Sequence, residues 1–289
     1  VRNHQRLGYG VAALLLASAA FHLAVYAVDG GGWAGPVSWR KPILFGFSFG
    51  VTLASLVWVI GRLELPDSRA RWLVGVLGVS SVAEVGLITA QRWRGVPSHL
   101  NFGTTVDAAV SALLAGFAIL GLIPSIVVVT VLAFRRLDGP PSMRLAVRAG
   151  MGILVLSQFA GAALIANGRV IGLPPEATDL SIFGTAGQLK VPHAVTLHAV
   201  QVLPILAALL TLTAWSERAR TGLVALATGG YGGLVLVGVV QAAQGLAPID
   251  LTATSGALLV VSAAALLAAG AAALSRLRFA ALRPHRLPS

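Results

Sequence analysis

No cysteine occurs in the 289 residues, which excludes disulfides, thiolate metal sites, iron–sulfur clusters and cysteine nucleophiles. Any metal must be held by nitrogen or oxygen. Charge is scarce as well: 11% of residues are charged, against roughly 25% in soluble globular domains. A soluble protein with 56% hydrophobic residues would have too little polar surface to clothe itself. Acids are the rarest class, ten Asp and Glu beside 21 Lys and Arg. The basic residues lie in short connections and tails rather than on one folded face, so nucleic acid is not the expected partner. Compact metalloprotease spacing of the H-E-x-x-H kind is missing. A lysine deep within an apolar run is missing too, which argues against retinal.

What the sequence has is long apolar runs, enough for an all-α, polytopic integral membrane bundle of eight helices. Runs of low charge bounded by Arg, Pro, Gly or Trp cover 8 to 28, 42 to 61, 72 to 91, 107 to 134, 146 to 167, 193 to 214, 222 to 245 and 252 to 275. Each meets the roughly 20 residues that a crossing requires. The fourth run is longer than one crossing needs, and Pro124 within it predicts a kink or tilt. No soluble stretch is long enough to fold separately, so residues 1 to 289 read as one membrane domain. Val1 reads as a GTG start codon. The first run has no small-residue cleavage site after it and reads as a retained signal anchor. Abundant Ala, Arg, Gly and Val suggest a GC-rich bacterial genome, and hence the cytoplasmic membrane. Four spans plus four would allow a repeat, yet Glu84 and His22 find no counterparts in the second half, and none is assigned.

Lys and Arg are retained on the cytoplasmic side during insertion. With the N-terminus inside, the inner segments hold 15 of the 21 basic residues, and the outer segments hold the other six: Arg40, Lys41, Arg92, Arg94, Arg169 and Lys190. Both termini are therefore expected in the cytoplasm. Trp33, Trp39, Trp72, Trp93 and Trp215 fall at span ends, where an indole prefers the headgroup level.

A charged group within lipid costs roughly 2.5–3.5 kcal/mol, so those that remain usually face the bundle interior and serve a purpose. They gather in the outer half. His22 lies roughly 9 Å below the outer surface at 1.5 Å per residue, Glu84 about two turns below the end of the third span, and Asp107 opens the fourth. His198 and Gln201 lie early in the sixth span, three residues apart and on one face. The outer segments Trp-Arg-Lys-Pro at 39 to 42, Gln-Arg-Trp-Arg-Gly-Val-Pro-Ser-His-Leu-Asn at 91 to 101 and Lys-Val-Pro-His at 190 to 193 add to them. Gln158, Asn167, Gln241 and Gln244 read as interhelical hydrogen-bond glue. Arg92 and Arg169 read as interface snorkellers.

These residues predict one outward-facing polar pocket. Glu84, His99 and Asp107 are its candidate catalytic groups. Arg40, Lys41, Arg94, Asn101, Lys190, His193 and Gln201 are candidates for holding an anionic, lipid or quinone ligand. His22 and His198 are candidate metal or haem ligands. The leading reading is a membrane-embedded enzyme acting on an anionic or lipid-like substrate at the outer leaflet, with a divalent metal ion on His22, His198, Glu84 and Asp107. One alternative is a b-type haem or quinone protein with His22 and His198 as axial ligands. Another is a secondary transporter or channel using Glu84 and Asp107, against which the bare inner half of the spans counts. The charge count makes one prediction: a reporter inserted at 135 to 148 reads out as cytoplasmic and one at 168 to 192 as external. The reverse pattern would overturn the orientation.

Overall fold

A computed structural model describes residues 2–171 and 182–276. The side chain of Arg169, the 172–181 part of the long connection and the tail arginines Arg278, Arg283 and Arg286 lie outside the described residues. The described chain folds into α1 (Asn3–Asp29), α2 (Arg40–Ile60), α3 (Asp67–Trp93), α4 (Thr105–Gly116), a π-helical stretch (Phe117–Leu122), α5 (Ile123–Arg136), α6 (Pro141–Ile171), α7 (Lys190–Thr211), α8 (Glu217–Ala243) and α9 (Ala253–Leu274). A hairpin of β1 (Ile182–Phe183) and β2 (Gly187–Gln188) precedes α7. Among the described residues, eight helices are long and apolar enough to cross a membrane, with α4, the π stretch and α5 acting as one. The chain is a multi-pass membrane protein, and its spans begin and end within about five residues of the sequence boundaries.

The irregularity expected at Pro124 is a wide turn just before it. Proline offers no N–H and crowds the carbonyl four residues back, and the π stretch relieves that conflict while keeping the helix continuous.

The spans form two four-helix units of the same design. In the first, α1, α2 and α3 pack pairwise, α3 packs on the fourth span and α2 touches α5; in the second, α6, α7 and α8 pack pairwise, α8 packs on α9 and α7 touches α9. The units meet through α2 against α7, and α5 against α6. Local geometry repeats too. Residues Trp39 and Leu189 precede α2 and α7 with φ, ψ of −61°, −21° and −60°, −21°, and Pro42 and Pro192 stand third in these helices. Asp67 and Glu217 open α3 and α8, and each meets the first helix of its own unit: His4 Nδ1 is 3.9 Å from Asp67, and Ser142 N donates to Glu217 at 2.7 Å.

The far ends of α3 and α8 also match. Val96 N donates to Gln91 O at 3.1 Å and Leu246 N to Gln241 O at 3.0 Å, across Gly95 at φ 73° and Gly245 at φ 68°. That is the glycine helix stop, which needs the left-handed region. Gln91 Nε2 then donates to Pro97 O, and Gln241 Nε2 to Ala247 O. Thr104 and Thr252 cap the helices that follow. The repeat withheld on the sequence is therefore present. It is carried by helix ends and packing residues, whereas His22 and Glu84 belong to one unit alone.

Connections α1–α2, α3–α4, α6–α7 and α8–α9 gather at one end, called here the site face. Lys41 reaches Ser98 there, and Ala186 N donates to Gly245 O. At the opposite, basic face, Leu63 and Leu137 form an isolated bridge. Between the faces, small residues bring backbones together, since lipid supplies no hydrophobic drive for helix association. A Cβ on Gly150 would lie 2.9 Å from Val200 Cα and 3.0 Å from Ala199 O, both backbone atoms of α7, whereas Gly152 faces open space. Gly150→Ala should therefore destabilise the detergent-solubilised protein by about 1–3 kcal/mol. Gly152→Ala should match or exceed the wild type, because alanine is the better helix former. Equal thermal midpoints for the two would refute this packing.

Candidate functional site

The end of α3 and the start of α4 clamp the 94–104 loop. Asp107, buried in the first turn of α4, accepts from Arg94 Nη1 at 2.7 Å and Gln91 Nε2 at 3.0 Å on one oxygen, and from Thr104 Oγ1 at 2.7 Å on the other. Arg94 also donates to Gln91 Oε1. Within the loop, Asn101 donates to Pro97 O and accepts from Gly103 N, and Ser111 donates to Asn101 O. Leu100 is held at φ 55°, in the left-handed region that a branched side chain disfavours. Asp107 and Asn101 thus spend their polar atoms on the loop itself. They shape the site.

The clamp presents Ser98 and His99 to α2. Lys41 Nζ donates to Ser98 Oγ at 3.2 Å, and Ser98 Oγ lies 2.9 Å from His99 Nδ1. An ammonium group can only donate, so the serine proton is free to point at Nδ1, leaving His99 to carry its own proton on Nε2. The ring packs against Phe45, with centroids 6.0 Å apart. Burial, and after it the Lys41 charge, pushes the His99 pKa from 6.5 down to about 4. A neutral imidazole donor and an ammonium are thereby placed side by side. Ser98 was not among the residues selected from sequence; its only signal was its place between Pro97 and His99.

His22 belongs to a separate aromatic lock. Its Nδ1 donates to Ser18 O at 2.7 Å, and its Nε2 accepts from Trp93 Nε1 at 3.1 Å. Trp39 packs against both rings and donates to Asp29 at 2.5 Å. Arg92 lies 3.8 Å above the Trp39 ring and 3.6 Å from Asp29. The snorkelling reading of Arg92 is corrected: its guanidinium is stacked and paired among α1, α2 and α3. The His22 lone pair that would ligate iron or zinc is the one Trp93 occupies. Among the described residues, no three His, Asp or Glu side chains come near enough to hold a metal ion.

The remaining candidates are spread out. His193 donates from Nδ1 to Ser157 O at 2.9 Å and packs over Gly161, serving the α6–α7 contact. Gln201 donates to Thr52 Oγ1 at 3.3 Å across the α2–α7 seam, and its side chain also bonds His198. His198 is half-buried one turn before it, and Lys190 and Arg40 open α7 and α2. Of the expected glue, Gln158 bonds Leu154 O and Ser157 within its own helix, Gln241 bonds Ala247 O and Asp250 O after its helix, and Asn167 reaches Ile182 O among its partners.

Glu84 is different. It is 4% exposed and, among the described residues, makes neither hydrogen bond nor ion pair. It shares a helix face with Gln91, which meets Asp107, and with Ser80, whose hydroxyl fills the space beside Gly121 in the π stretch. A carboxylate with no partner in lipid is expected to carry a proton or await a ligand.

The second unit works as an internal control. It keeps the glutamine pin and the glycine stop, but Pro248 and Ile249 stand where the first unit has Ser98 and His99 after the turn, and Val191 stands where it has Lys41. The shared parts are framework, and the Lys41–Ser98–His99 line and Glu84 are particular to the first unit. Because the folded His99 pKa lies below its unfolded value of 6.5, the stability due to its neutral form is complete above pH 6.5 and is lost as pH falls towards 4. NMR titration should show His99 neutral down to about pH 4, with Lys41→Met raising its midpoint. A wild-type midpoint near 6.5 would overturn the packing of His99 beside Phe45 and Lys41.

No family model matches the chain, and neither a curated protein nor a solved structure matches it.

Proposed function

We propose that this protein is a membrane-embedded enzyme of the bacterial cytoplasmic membrane, acting at the outer leaflet on an anionic, lipid-like substrate. The observation that carries the reading is the hydrogen-bonded line from Lys41 through Ser98 to His99. Lys41 attracts an anionic headgroup, and the Nε2–H of a neutral His99 polarises the oxygen at which charge develops. Arg40, which has no partner among the described residues, adds positive charge at the same mouth. Glu84, below the clamp, is the group with a proton to exchange. The outward direction of the site face follows from the excess of arginine at the opposite face.

Purified protein in liposomes of phosphatidylglycerol and phosphatidylethanolamine should change the lipid composition, as read by mass spectrometry. Lys41→Gln, His99→Ala and Glu84→Gln should each cut that turnover at least about 100-fold, the lower range for a positioned acid, base or oxyanion donor, without lowering the thermal midpoint by more than a few degrees. Wild-type turnover in all three would sink the reading.

A second reading, secondary transport, is favoured by one observation. Two units of the same direction meet at α2 and α7, and Gln201, Thr52 and His198 gather polar groups at that seam, as expected where parallel repeats enclose a substrate. Solute flux in the same liposomes without lipid turnover would select it.

A further inference from the structure

The basic face carries a groove that takes no part in the site described above. It has a volume of about 320 Å³ and runs between α3 and α5. Its rim is Arg69, in the first turn of α3, and Arg136, the last residue of α5; Leu73, Val128 and Leu132 form its apolar floor, and Trp72 one wall. Both arginines are exposed, and among the described residues neither makes an ion pair or a hydrogen bond. Asp67, the acid nearest in sequence to Arg69, already takes Arg2 and His4, and Asp138, the acid nearest to Arg136, accepts from Gly139 N. With Arg69 and Arg136, Arg62, Arg71 and Arg135 stand at this face against Glu64, Asp67 and Asp138, so the local charge is positive.

Two features argue for an amphiphile over a free anion. Guanidinium forks match phosphate oxygens in pairs, and the groove beneath them is apolar for about two turns, roughly 12 Å from Arg136 to Val128 at 1.5 Å per residue. Trp72 is 66% exposed, the placement of an indole at headgroup level. A soluble phosphate would use the rim and leave the floor bare.

We propose that this groove binds an anionic phospholipid of the surrounding leaflet, its phosphate between Arg69 and Arg136 and one acyl chain along Leu73, Val128 and Leu132. The site stands apart from the enzyme and transport readings. Basic recesses between membrane helices hold such headgroups through charge.

Native mass spectrometry of the full chain, delipidated in detergent and offered phosphatidylglycerol or phosphatidylcholine, tests this. Phosphatidylglycerol should be retained in preference, and Arg69→Gln with Arg136→Gln should lower its retention about tenfold or more, the scale of two arginine contacts near a membrane surface. Arg71→Gln with Arg135→Gln, equal in charge removed, should leave retention near wild type. Equal loss in both double variants would reduce the effect to general surface charge and overturn the proposal, as would equal retention of the two lipids. Displacement of the lipid by millimolar inorganic phosphate would also overturn it, in favour of a simple anion site. Should the glutamine pair fail to fold, quenching of wild-type tryptophan fluorescence by acyl-brominated lipid decides. Phosphatidylglycerol should quench more than phosphatidylcholine, and Trp72→Phe should abolish the difference; a difference unchanged by Trp72→Phe refutes the groove.

Discussion

Lipid offers no hydrogen-bond partner, and each unsatisfied backbone or side-chain group within it is expensive. That single constraint organises the molecule. It makes every span a helix, and it sends serine and threonine hydroxyls back to carbonyls of their own helix, as with Ser55 to Val51, Ser81 to Leu77 and Thr130 to Ile126. It also demands a defined stop where a helix leaves the membrane. Gln91 and Gln241 supply it, each folding its side chain back on the turn that follows a left-handed glycine.

The same constraint separates scaffold from chemistry. Asp107 is charged and buried, yet three side chains answer it, so its energy goes into fixing the loop. His22 is polar and buried, yet both ring nitrogens are used. Among the described residues, Glu84 has no such answer. The Lys41–Ser98–His99 line ends in a donor turned towards no described partner. Residues of these two kinds look identical in a hydropathy profile and differ only in whether a neighbour satisfies them.

The four-helix repeat sharpens that distinction. Two units under the same packing rules keep the same helix stops, the same proline near the start of the second helix and the same acid at the start of the third. Lys41, Ser98, His99 and Glu84 stand in the unit that departs towards polarity, while the second unit carries Val191, Pro248 and Ile249 at the matching mouth.

Eight spans, their approximate ends, the irregularity near Pro124 and the gathering of polar groups towards one end were legible in the amino-acid order. Hydropathy and length are local properties, and lipid reads them locally. The sequence also singled out Glu84 and His99, since a charge or imidazole near an apolar run is conspicuous. Tertiary structure alone decided which of the conspicuous residues are satisfied. Trp93 lies 71 positions from His22, Lys41 lies 57 from Ser98, and Gln201 lies 149 from Thr52. Helical periodicity orients a side chain around its own axis but cannot name the helix it meets, and it is the meeting that turns His22 into a lock and leaves Glu84 without a partner among the described residues.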